Sequence, residues 1–173
     1  FDYIRFLIQS IMKYLYSFLL CALIIGCADS NQSILKSDDD LSAKINIQYE
    51  NYAANDFSFS DQYSDDVVAR INNMVIEGKD NLMTGWKSHH EFLYSNINIE
   101  DIYIHTNYFS DGSIWTNAWL TWTGSGQTTG NDYSNRAHFD YKWEDGKIVE
   151  VLAYFDETAE NNEIAAYTAS LEN

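Results

Sequence analysis

The amino-acid sequence predicts an α+β domain, and three observations carry the prediction. Amphipathic helical patterns lead, alternating strand patterns follow, and the strands are joined by tight-turn dipeptides. That order places helices against one face of an antiparallel sheet. The clearest turn is Asp145-Gly146, a pair that accepts the positive φ angles of a two-residue hairpin loop, with aromatic and β-branched runs at 136–144 and 147–156 on either side.

The chain has 173 residues, enough for one domain and too few for two full cores. Thirteen Tyr, nine Phe and five Trp supply a sizeable core, so disorder of the whole chain is excluded. There is no proline, so chain breaks fall to Gly, Asn, Asp and Ser clusters. A net charge of −16 excludes nucleic acid and anionic membrane surfaces as partners, since both need clustered Lys and Arg. Such acidity favours solubility and cationic ligands.

Residues 1–26 stand outside the domain. Met12-Lys13 makes a short charged start, Tyr14 to Ile25 is an apolar run, and Ile24-Ile25-Gly26-Cys27 closes it, the order of a secretory signal. The last four residues resemble the lipobox of bacterial lipoproteins. The resemblance implies start at Met12, lipidation at Cys27, and a protein anchored to the bacterial cell envelope through its lipid alone, facing either the periplasm or the surface. Arg5 and Lys13 interrupt the competing reading, a transmembrane helix. With Cys21 inside the signal, Cys27 is the one cysteine left and no internal disulfide is expected. Residues 27–40, rich in Ser, Asn and Asp, read as a polar tether, and the domain as 41–173.

Within the domain, Leu41, Ile45, Tyr49 and Tyr52 recur at helical spacing. Residues 55–65 allow a short second helix, and 67–71 a short strand. Gly78-Lys79-Asp80 opens a helix reaching about Tyr94, with Leu82, Met83, Trp86 and Leu93 on its buried stripe. His89 and His90 follow Trp86 at three and four residues, so at least one shares its direction. Strands are expected at 99–109 and 114–123, the second with Trp115, Asn117, Trp119 and Thr121 on one face and Thr116, Ala118, Leu120 and Trp122 on the other. Residues 124–131 form a Gly-rich loop that lacks the ending of a phosphate cradle. The acidic tail carries a weak helical pattern at 164–171.

Around Asp145-Gly146, strict alternation opposes Trp143 to Ile148, Tyr141 to Glu150, Phe139 to Leu152 and Ala137 to Tyr154 on one face. The other face opposes Lys142 to Val149, Asp140 to Val151, His138 to Ala153 and Arg136 to Phe155. Charged groups set against small or apolar ones suit either the wall of a partly polar pocket or a half-exposed sheet edge. His138 and Asp140, two apart on one strand face with Arg136 beside them, form the candidate acid–base pair, or else a structural hydrogen-bonded pair. Adjacent His89 and His90 cannot share an ion on a helix, and no metal site or cofactor is expected. A Ser nucleophile lacks its Gly-x-Ser-x-Gly elbow.

The leading helix, the Gly78-Lys79-Asp80 helix with Trp86, and the Asp145-Gly146-Lys147-Ile148-Val149-Glu150 to Tyr154-Phe155-Asp156 ending together resemble the SnoaL-like branch of the NTF2-like superfamily over residues 41–156. The resemblance implies a curved antiparallel sheet wrapped into a cone around the N-terminal helices, a pocket at its open end, and often a homodimer through the sheet. It implies a small-molecule ligand, partly apolar, with Tyr52, Trp86, His90, Trp119, Arg136 and Ala153 as ligand-binding candidates. The alternative is an isomerase, cyclase or lyase using catalytic His138 and Asp140; a third reading is a dimeric interaction domain without ligand. Epoxide-hydrolase-like relatives carry an Asp where this chain has Ala153, which argues against that reaction. Asp156 is expected to cap the strand end.

Overall fold

Asp39 starts the first helix because its carboxylate accepts the Ser42 backbone N–H at 3.0 Å. From there the chain follows the expected order. In the computed structural model, which describes residues 32–172, the elements are β1 (Ile34–Lys36), α1 (Asp40–Ala53), a 3₁₀ turn (Ser58–Gln62), β2 (Tyr63–Ile71), β3 (Met74–Glu77), α2 (Lys79–Ser88), a π-helical turn (His89–Leu93), β4 (Tyr94–Tyr108), β5 (Ile114–Gly126), β6 (Asp132–Glu144), β7 (Lys147–Phe155) and α3 (Thr158–Leu171). The strands form one curved, unclosed sheet in the order β1-β4-β5-β6-β7-β2-β3, antiparallel throughout except where β7 meets β2. This is the α+β cone that the sequence predicts.

The core lies on the concave side. Ala118, Leu120, Tyr141, Ile148 and Val151 from the sheet pack with Ile45 and Tyr49 of α1 and with Leu82 and Met83 of α2. The face alternation read for β5 and β6 holds: Thr116, Ala118 and Leu120, and likewise Ala137, Tyr141 and Trp143, are buried.

The register of the last hairpin needs correction. Asp145 and Gly146 both take positive φ, 49° and 78°, and Trp143 does oppose Ile148. Beyond that pair Val149 bulges, and the partners become Lys142–Glu150, Tyr141–Val151, Asp140–Leu152, Phe139–Ala153, His138–Tyr154 and Ala137–Phe155. The reason is burial. Strict alternation from Ile148 would send Glu150 into the core; one extra residue changes the phase and buries Val151 and Ala153 instead.

Other boundaries also differ. Ile34–Lys36, inside the stretch read as a tether, pairs with β4, Ile34 opposite Tyr108. The strand read from Val67 begins at Tyr63, and β3 follows it through a hairpin in which Asn72 takes φ of 48°. The C-terminal helix begins at Thr158 and not at Ile164. The signal sequence and Cys27 lie outside the described residues.

Candidate functional site

The concave face of the sheet, α1, α2 and the first turn of α3 enclose a cavity of about 320 Å³. Tyr52 and Trp86, both expected as ligand-binding residues, line it. Its walls are otherwise mainly aromatic and aliphatic, with Tyr94, Trp122, Phe139 and Phe155 among them.

Polar groups converge at one end. The Tyr52 hydroxyl lies 2.8 Å from His89 Nδ1, and His89 Nε2 lies 3.8 Å from Glu160 Oε1. His89 reaches this position because α2 gives way there to the π-helical turn, which re-aims the side chains that follow; such turns recur at functional sites. Glu160 comes from the first turn of α3, so the C-terminal helix completes the site. The His89 interaction holds the Glu160 carboxyl below its ordinary range, outweighing burial. With Glu160 ionised, the network assigns the ring hydrogen to Nε2 and makes Nδ1 the acceptor of the Tyr52 hydroxyl. Burial pushes the Tyr52 phenol well up, so it stays protonated.

A second polar group lies on the wall between α1 and the sheet. Tyr63 donates to Gln48 Oε1 at 2.8 Å, Gln48 Nε2 donates to the Tyr141 oxygen at 3.2 Å, and the Tyr49 and Tyr141 hydroxyls share a 2.7 Å hydrogen bond. Every member is buried, and burial raises the three phenols.

The remaining candidates lie elsewhere. His90 packs edge-on against Tyr52, ring centroids 5.1 Å apart, behind the cavity wall; its Nε2 is buried without a hydrogen bond, and burial lowers its pKa. Ala153 is wholly buried on the inner face of β7. Arg136 opposes Thr121 on the outer face, while its neighbours Asn135 and Ala137 line the cavity. Asp156 does line the cavity, and its Oδ1 accepts the Thr158 N–H at 2.8 Å, so its capping role serves the entry to α3.

His138 and Asp140 do lie side by side, Nε2 2.9 Å from Oδ1, although the ring N–H is not aimed at the carboxylate. They sit on the convex face, because β6 alternation turns Ala137, Phe139 and Tyr141 inward. There His138 stacks on Trp119, centroids 3.7 Å apart at 11°, and Asp140 accepts from Asn117. Neither residue touches the cavity. Among the described residues no three His, Cys, Asp or Glu side chains are grouped to hold a metal.

Sequence reasoning missed Glu160 altogether and, of the two adjacent histidines, named His90 where the cavity takes His89. Trp122 was legible, since it shares a strand face with Ala118 and Leu120. Nothing in an acidic tail marks one glutamate as pointing inward.

A curved sheet folded over helices around an aromatic cavity defines a cone-shaped α+β fold. Residues 48–151 match the family described as SnoaL-like domain, and the chain belongs to that family. No curated protein matches it. Among solved structures it is similar to a protein assigned as a polyketide cyclase from Pseudomonas putida (23% identity, 69% of this chain and 94% of that one, TM-score 0.59). It is also similar to one assigned as an isomerase from Bacillus subtilis (14%, 72% and 92%, TM-score 0.59) and to an NTF2-like protein from Anabaena variabilis (16%, 67% and 86%, TM-score 0.55). At these identities the likeness establishes the fold.

Proposed function

We propose that the protein is a binding module that holds a small, partly apolar molecule in the cone. The observation that carries this reading is the cavity itself: about 320 Å³, aromatic on most sides, with polar groups gathered at the Tyr52–His89–Glu160 end. That is the size and composition of a small-ligand site. The test is to incubate the purified domain with a metabolite extract and identify what co-purifies. Recovery of a small molecule that is lost on Leu120→Trp, which fills the cavity, supports the reading; recovery of nothing, or of a molecule indifferent to that change, sinks it.

A second reading, acid–base catalysis on the bound molecule, is favoured by the Tyr52–His89–Glu160 chain and not by His138 and Asp140, which face away from the cavity. Polyketide cyclase and isomerase assignments among the structural neighbours suit it.

Two further proposals concern placement. Lipidation at Cys27 would tether the domain to the cell envelope, and stable attachment would take more than one acyl chain. Palmitate failing to label the protein, or a Cys27→Ser form still fractionating with membrane, rules this out. The convex sheet face, with Trp119 exposed upon it, would form a homodimer.

A further inference from the structure

We propose that the ligand of this cavity is an organic cation: an amine or quaternary ammonium group on an apolar body, its charge seated among Tyr52, Tyr94, Trp86 and Trp122 with Glu160 as counter-ion. The inference rests on the cavity-binding reading and names its ligand class.

Charge is the first ground. Neither Lys nor Arg lines the cavity; its two carboxylates are Asp156 and Glu160. A carboxylate or phosphate ligand would find no cation to pair with. A neutral ligand would leave the Glu160 charge, its side chain 30% exposed, to the His89 ring and solvent. The His89 interaction keeps that carboxyl ionised, and Tyr52 and Tyr94 both feel its field.

Ring geometry is the second. Tyr94 and Trp122 meet edge to face with centroids 4.7 Å apart at 69°, and Tyr52 meets Trp86 at 6.3 Å and 67°. Rings crossed in this way turn faces in different directions around a common space, as a cation cage requires. The polar atoms agree as well. The Tyr52 hydroxyl is engaged by His89 Nδ1 and its oxygen by Trp122, so it presents the cavity no free donor. The chain's net charge of −16 would raise the local concentration of cations.

Benzyltrimethylammonium and neopentylbenzene differ only in charge, so a pairwise titration isolates the proposal. Binding is read by quenching of Trp86 and Trp122 and by calorimetry. The cation should bind at least about tenfold more tightly than its neutral isostere, a difference in the range of a desolvated cation–π contact plus a counter-ion. Glu160→Gln should shrink that preference about tenfold. Should that variant fail to fold by near-ultraviolet circular dichroism, Trp122→Leu makes the same comparison. Equal or tighter binding of neopentylbenzene overturns the cation and leaves the cavity reading intact. Binding of neither probe overturns both. A preference untouched by Glu160→Gln overturns the counter-ion.

Discussion

The Glu163 carboxylate is wholly buried, yet it is the only buried side chain of α3. It accepts from the Thr129 and Tyr133 hydroxyls and from the backbone N–H groups of Thr128 and Thr129. Burial alone would raise its pKa; those donors outweigh burial and hold it below the ordinary value of 4.5. Gly126 is required beside it, since a Cβ there would overlap the carboxylate. A depressed folded pKa contributes stability above the unfolded value that is lost as pH falls through the folded one. We therefore expect urea midpoints to drop as pH is lowered below about 4.5, and Glu163→Gln to flatten that dependence. At neutral pH the same change should cost about 1–3 kcal/mol, a Thr128 or Thr129 donor being left facing an amide N–H. Tyr141→Phe belongs to the same class. It strips Gln48 and Tyr49 of a buried partner and should cost about 1–3 kcal/mol with an unchanged denaturant slope. A midpoint identical to wild type would show the network to be dispensable.

Elements differ in how far their sequences disclose them, and the reason is what each buries. Over residues 116–120 of β5 and 137–143 of β6 every second side chain turns inward, so period-two alternation finds both the strand and its inward face. β7 was misread beyond Ile148 because a bulge shifts phase without leaving a residue type that announces it. Of the six ligand-binding candidates, two line the cavity: Tyr52 and Trp86 lie on helical stripes and are visible in the sequence, whereas the pleat turns the strand face of His138 and Arg136 outward. α3 was legible only in part, because it docks through a carboxylate and hydrophobic periodicity cannot detect that. The same property sets its dynamics. A helix held by Glu163, by the Glu160–His89 approach and by one Tyr167–Phe92 ring contact has little apolar burial to resist opening. In hydrogen exchange α3 should lose protection well before β5 and β6, and ligand in the cavity should slow it. Exchange of α3 in step with the sheet would show that the helix does not open separately.

At the scale of the molecule the two faces of the sheet are chemically unlike. The concave face carries the cavity; the convex face carries a row in which Tyr103, Trp119, His138 and Tyr154 stand directly opposite one another across β4, β5, β6 and β7. Three of these are substantially exposed: Tyr103 55%, Trp119 45% and Tyr154 53%. Soluble monomers rarely leave a contiguous aromatic stripe in water, which is why the proposed homodimer is placed here. Two copies at −16 each repel, so association must come from burying this row against that repulsion. The salt dependence then has a definite sign. Screening shortens from about 10 Å at about 0.1 M salt to about 3 Å at about 1 M, so the dimer should tighten as salt is added, the reverse of an interface held by ion pairs. Trp119→Glu places a charge at the centre of the row and should weaken association by about 2 kcal/mol or more, roughly thirtyfold, while the cavity on the opposite face keeps its ligand. Sedimentation velocity over a concentration series at both salt levels measures each effect. A chain monomeric throughout, or a dimer that loosens with salt and ignores Trp119→Glu, would remove the convex face from the assembly.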